Sequence, residues 1–86
     1  MRYQIVVRTS AKRELKKLPN DAYRIVRAAI DGLGNTPRPR HSRKMVGGHN
    51  QWRLKVGTYR VVYTITDKQL IIEIIKVAHR KDVYRK

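Results

Sequence analysis

The chain has 86 residues, with 21 Lys and Arg against 6 Asp and Glu, no Cys, and a formal net charge of +15. Without cysteine there is no disulfide, thiolate metal site or thiol nucleophile, and a reducing compartment is the compatible one. So short a chain is expected to form one domain over residues 1–86 that gains from a partner, and its positive field selects polyanions, nucleic acid first and an acidic protein second.

Residues 3–8 read as a short strand, with Ile5, Val6 and Val7 supplying β-branched content. Thr9 or Ser10 is expected to cap a helix over 11–18, whose Ala11, Leu15 and Leu18 share one face while Lys12, Arg13, Lys16 and Lys17 point elsewhere. Pro19 ends it. Asn20 or Asp21 is expected to cap a second helix with Ile25, Val26, Ala29, Ile30 and Leu33 as its apolar stripe, closed by Gly34 and Asn35. The short turn makes the pair an antiparallel hairpin, and the stripe needs a sheet to cover.

The segment TPRPRHSRK, 36–44, reads as an extended surface loop leading to a short strand at 44–46, after which Gly47 and Gly48 turn the chain. From Gln51 the period becomes two: Trp52, Leu54 and Val56 alternate with Arg53 and Lys55, and Gly57 with Thr58 turns into a strand over 59–66. Asp67 and Lys68 turn again into 70–77, a near-continuous apolar run that suits a central strand covered on both faces. Strict alternation puts Glu73 and Lys76 on opposite faces, so neither is expected in a site. Residues 79–86 read as one helical turn. The expected fold is α+β: an N-terminal strand, an antiparallel helical hairpin packed on a mostly antiparallel four- to five-stranded sheet, and a short C-terminal helical segment.

No repeat or low-complexity stretch appears, and the charge is spread along the chain. The longest apolar run, 70–75, is broken by Glu73 and falls far short of the roughly 20 residues a membrane-spanning helix needs. The opening MRYQIVVRTS lacks a signal-peptide layout, so the cytoplasm is the expected location.

The stretch WRLKVGTYRVVYTI, followed by an apolar strand and VAHRKDVY, resembles the signature half of the RelE family within the RelE and ParE toxin superfamily. AKRELKKLP matches the layout of its helical hairpin, so the resemblance spans essentially the whole chain. It implies a toxin wrapped and silenced by an acidic, partly disordered antitoxin. In the RelE branch it implies a ribosome-dependent endoribonuclease that cuts messenger RNA in the A site without metal or other cofactor. The active-site positions of the family fall here on Arg53, Lys55, Arg60, Arg80 and Tyr84. The same superfamily offers a ParE-like alternative that poisons DNA gyrase without cutting RNA, and a non-catalytic basic RNA-binding module is a third reading.

Metal-free RNA cleavage proceeds by 2′-hydroxyl attack on the adjacent phosphorus, and it needs a base, cations for the phosphate, and a group to stabilise the leaving 5′-oxygen. Alternation sets Arg53 and Lys55 on one strand face, opposite Trp52 and Leu54, and Arg60 lies just across the turn. The guanidinium fork suits Arg60 and Arg53 to phosphate oxygens. Two residues are candidates for the base: Lys55, if crowding by arginines favours its neutral form, and His79, whose side-chain class titrates near about 6.5. Arg80 is assigned to the leaving oxygen and Tyr84 to stacking or phosphate orientation. Tyr59 and Tyr63 have packing parity, and His41 and His49 fall in loops where solvation is expected. Lys12, Arg13, Lys16 and Lys17 on the first helix, with Arg38, Arg40, Arg43 and Lys44 in the loop, are expected to grip ribosomal RNA backbone.

Overall fold

The structure, a computed structural model, describes residues 2–47 and 50–83. Its elements are β1 (Gln4–Val7), α1 (Thr9–Lys16), α2 (Asn20–Gly32), β2 (Ser42–Lys44), β3 (Gln51–Val56), β4 (Tyr59–Thr66), β5 (Ile71–His79) and α3 (Arg80–Val83). The strands form one sheet in the order β1-β5-β4-β3-β2. β1 runs parallel to β5, and the β2–β3, β3–β4 and β4–β5 pairs are antiparallel. This is the expected α+β architecture.

Neither helix is capped as expected. The Arg8 N–H is bonded to the Ile74 carbonyl at 3.0 Å, so the chain stays in the sheet to that residue, and its own carbonyl then accepts the Lys12 N–H at 2.9 Å. Arg8 is therefore the N-cap, without a side-chain bond, and Thr9 and Ser10 are already helical. Pro19 plays the same part for α2: its φ of −55° is fixed by the ring, and its carbonyl accepts the Tyr23 N–H at 2.8 Å. Asn20 and Asp21 fall in the first turn, where the Asp21 carboxylate meets the positive end of the helix.

Both helices cover one side of the sheet. Ala11, Leu15, Val26, Ile30 and Leu33 pack against Leu54, Val56, Val61, Tyr63, Ile65, Ile72, Ile74 and Val77, all buried. Burying each such aliphatic side chain stabilises the fold by roughly 1.5–3 kcal/mol. Ile25 does not belong to the expected stripe: one residue from Val26 on a helix is a rotation of about 100°, and the side chain is 61% exposed. β5 is central in the sheet, yet helices cover only one of its faces, so the expectation of a strand enclosed on both sides is corrected.

A register shift in the β4–β5 ladder also corrects the reading of Glu73 and Lys76. Val62 pairs with Lys76 but Tyr63 pairs with Ile74, which leaves Ile75 as the extra residue of a bulge. Lys76 and Glu73 consequently share the open face. Past the end of β1, the Val77 N–H has no strand to pair with, and the Glu14 carboxylate of α1 accepts it at 2.8 Å. The first strand of the second half is Ser42–Lys44, two residues earlier than expected, because the chain already turns at Val46 and at Gly47, whose φ is +78°.

Candidate active site

Antiparallel register aligns the open face in rows. Arg43, Arg53, Val62 and Lys76 form one row across β2, β3, β4 and β5. Lys55, Arg60 and Ala78 form the next. The Lys55 N–H donates to the His41 carbonyl at 3.0 Å, so the second row begins at His41. Neighbouring strands lie about 4.8 Å apart, which brings five cationic side chains within a few strand widths.

Arg40, His41, Arg43, Arg53, Lys55 and Arg60 line one cavity of about 340 Å³ in this face. Nη1 of Arg60 donates to the carbonyls of Gly57 and Tyr59, both at 2.8 Å, which pins the guanidinium over the β3–β4 turn. Partial burial, and then the charges of Arg53 and Arg80, hold the Arg60 guanidinium below its ordinary value. Arg80 stands on the other flank of Arg60, its backbone N–H donating to the Thr58 carbonyl at 2.7 Å. Of the residues expected in the active site, Arg53, Lys55, Arg60 and Arg80 thus come together. Val62, in the midst of this face, is 5% exposed without belonging to the main core. Among its row neighbours are the long side chains of Arg53 and Lys76.

His79 is placed elsewhere. It pairs with Tyr59 and shares that residue's helix-side parity, the two rings meeting edge to face at 5.9 Å. Its Nδ1 accepts the Lys81 N–H at 3.3 Å. Tyr84 lies outside the described residues, as does His49.

The expected RNA-gripping residues divide. Arg40 and Arg43 line the cation cavity, and Lys44 lines a shallower one of about 790 Å³ beside the β2–β3 loop. Arg38 is separate: Nη2 donates to Asp67 at 2.9 Å, and the guanidinium lies 5.2 Å from the centre of the Trp52 ring. Tyr3 donates to the same carboxylate at 2.5 Å. The Arg38 guanidinium and the Tyr3 hydroxyl together hold the Asp67 carboxyl below its usual range. This clip, with the Tyr63 hydroxyl donating to the Pro37 carbonyl at 2.7 Å and Ser42 to that of Pro39 at 2.7 Å, anchors the loop that carries Arg40 and His41. Lys12, Arg13, Lys16 and Lys17 are exposed on α1, in the layer on the opposite side of the sheet from the cavity.

Two members of the open face escaped the sequence reading. Lys76 was hidden by the bulge, although the buried triplet Ile72, Ile74 and Val77, spaced two and then three, carries its signal. His41 was hidden because the β2–β3 register must be known before it can be placed beside Lys55. Among the described residues no three His, Asp or Glu side chains gather as metal ligands, and no helix is long and apolar enough to cross a membrane.

Sequence and structure comparisons agree with this architecture. The family described as ParE toxin of type II toxin-antitoxin system, parDE, matches residues 5–84. Toxin RelG of Mycobacterium tuberculosis is 34% identical over 91 aligned positions that cover all of both chains. In the RelE–RelB complex of Pyrococcus horikoshii, the matched chain superposes with a TM-score of 0.83 at 29% identity, covering 95% of this chain and 99% of that one. The toxin–antitoxin complex RelBE2 of Mycobacterium tuberculosis gives a TM-score of 0.83 at 30% identity, with 95% of each chain covered. The chain belongs to the RelE/ParE superfamily of toxins from type II toxin–antitoxin systems.

Proposed function

We propose that this toxin is a ribosome-dependent endoribonuclease that cuts messenger RNA in the A site by 2′-hydroxyl attack and so stops translation in the cytoplasm. The observation that carries the reading is the gathering of Arg53, Lys55 and Arg60 around one cavity, with Arg80 at its flank, on the face of the sheet that the helices leave open. Like charges are brought together at a cost, and an anion that spans them offsets it. The Arg60 and Arg53 forks hold the nonbridging phosphate oxygens, Lys55 adds a point charge, and Arg80 stabilises the leaving oxygen. Tyr84 remains the candidate for stacking on a base or orienting the phosphate. Arg40, Arg43 and Lys44 extend the positive field toward ribosomal RNA, and Lys12, Arg13, Lys16 and Lys17 offer a second contact surface behind the sheet. An acidic, partly disordered antitoxin matches the +15 charge, and the matched chain from Pyrococcus horikoshii was solved in complex with RelB.

A second reading, gyrase poisoning without RNA cleavage, draws on the match to the ParE family. In-vitro translation followed by primer extension on the message separates the two. Codon-phased cuts are expected, and intact message together with loss of gyrase supercoiling would favour the second.

A further inference from the structure

Of the two candidates for the base, His79 faces the helix side of the sheet, and Lys55 lines the cavity among four arginines, where its ammonium serves the phosphate as a cation. We propose that His41 is the general base, taking the 2′-hydroxyl proton. The assignment rests on the endoribonuclease reading and deepens it.

Three observations converge on this residue. The Lys55 N–H bond to the His41 carbonyl continues the β2–β3 ladder by one pair, and alternation from Arg43 turns residue 41 to the open face. That places it at the head of the row through Lys55 and Arg60, with hydrogen-bonded partners about 5.5 Å apart at their Cα atoms. His41 lines the cation cavity itself, in company with Arg40, Arg43 and Arg53. Imidazole is also the one side-chain type around that cavity whose ordinary titration lies between about pH 5 and 8, where a base must be able both to accept and to release a proton. Among the described residues neither ring nitrogen of His41 has a hydrogen-bond partner, whereas Nδ1 of His79 is already engaged.

The charged groups around His41 are Arg53 and Lys55 on β3, Arg60 on β4, and Arg40 and Arg43 on its own loop and strand. On the helix side it borders Leu54, Ala29 and Leu33, which are uncharged. In the reaction the 2′-oxygen bonds to phosphorus as the bond to the 5′-oxygen breaks. The hydroxyl proton passes to the imidazole and from there to solvent, and the departing 5′-oxygen takes a proton from water. The products are a 2′,3′-cyclic phosphate and a free 5′-hydroxyl. The loop clip at Arg38, Asp67 and Tyr3 then acts at one remove, by holding the segment that presents the imidazole.

The test is single-turnover cleavage of message on programmed ribosomes across pH, with wild type, His41→Ala and His41→Gln. Their thermal melts serve as the folding control, and since His41 is exposed they are expected to match. His41→Ala is expected to lower the saturating rate about 10²-fold, to leave the half-saturating toxin concentration unchanged, and to abolish the acidic limb of the rate profile. Added imidazole is expected to restore part of the rate in the Ala variant alone. A wild-type rate and acidic limb in His41→Ala would overturn the assignment. So would an altered half-saturation with the saturating rate and limb intact, which would make His41 only an RNA contact. Intact message with the wild type overturns the nuclease reading itself and the base with it.

Discussion

The two faces of this sheet are built from alternate residues of the same strands, and they solve opposite problems. On the helix side, Leu54, Val61, Tyr63 and Ile72 are almost wholly excluded from water and gain their energy from apolar contact. On the open side, one step along the same backbone, Arg53, Lys55 and Arg60 gather positive charge around a cavity that suits an anion. Stability and the proposed chemistry therefore occupy interleaved positions, and substitutions ought to separate them cleanly.

The largest stability effect is expected from Ile72→Ala, since the side chain is wholly buried. A loss of about 2–5 kcal/mol, measured by urea unfolding, follows from the lost transfer energy and the cavity left behind. Arg60→Ala is the opposite case. Message cleavage is expected to fall about 10²–10³-fold while the melting temperature holds or rises, because a partly buried guanidinium beside two others is removed. A comparable drop in stability would break the separation of the faces.

Glu14 is where the two sides meet, because its carboxylate serves the Val77 N–H beside the bulge. Glu14→Ala is expected to cost about 1–3 kcal/mol by leaving that donor unpaired, and Glu14→Gln, which keeps an acceptor, to cost less. Both are read from the same denaturant curves. The smallest effect is expected at the clip. The Asp67 carboxyl is depressed in the folded state, so the unfolded chain binds its proton first on acidification. Its contribution is complete above the ordinary carboxylate range and disappears as pH falls through the folded value. Melting temperatures followed from neutral to acid pH should decline less steeply in Asp67→Asn than in wild type.

Much of this was legible in the chain. Period-two alternation located β3 and β4 and put Arg53, Lys55 and Arg60 on one face, and helical spacing found Ala11, Leu15, Val26 and Ile30. What stayed hidden depended on pairing between distant segments. Arg38 reads as one more cation in a basic loop until Asp67, at the far end of β4, is seen to take it up. Thr9 and Ser10 are strong capping residues, but the Arg8 N–H bond to β5 sets where the helix starts. His41 joined the open face only through the β2–β3 register, and Lys76 only through the bulge.

That bulge also makes an unusual claim about insertions and deletions. Ile75 and Lys76 together oppose the single residue Val62. Removing Ile75 would restore plain alternation and leave Val77 pointing inward, with Lys76, Ala78 and the approach to Arg80 on their present sides. The same deletion two residues earlier, at Glu73, would bring Ile72 and Ile74 together and force one of them out of the core. Within β5 the chain thus has a position where losing a residue keeps the phase of everything after it, and tolerance to single deletions scanned along the strand is expected to peak there.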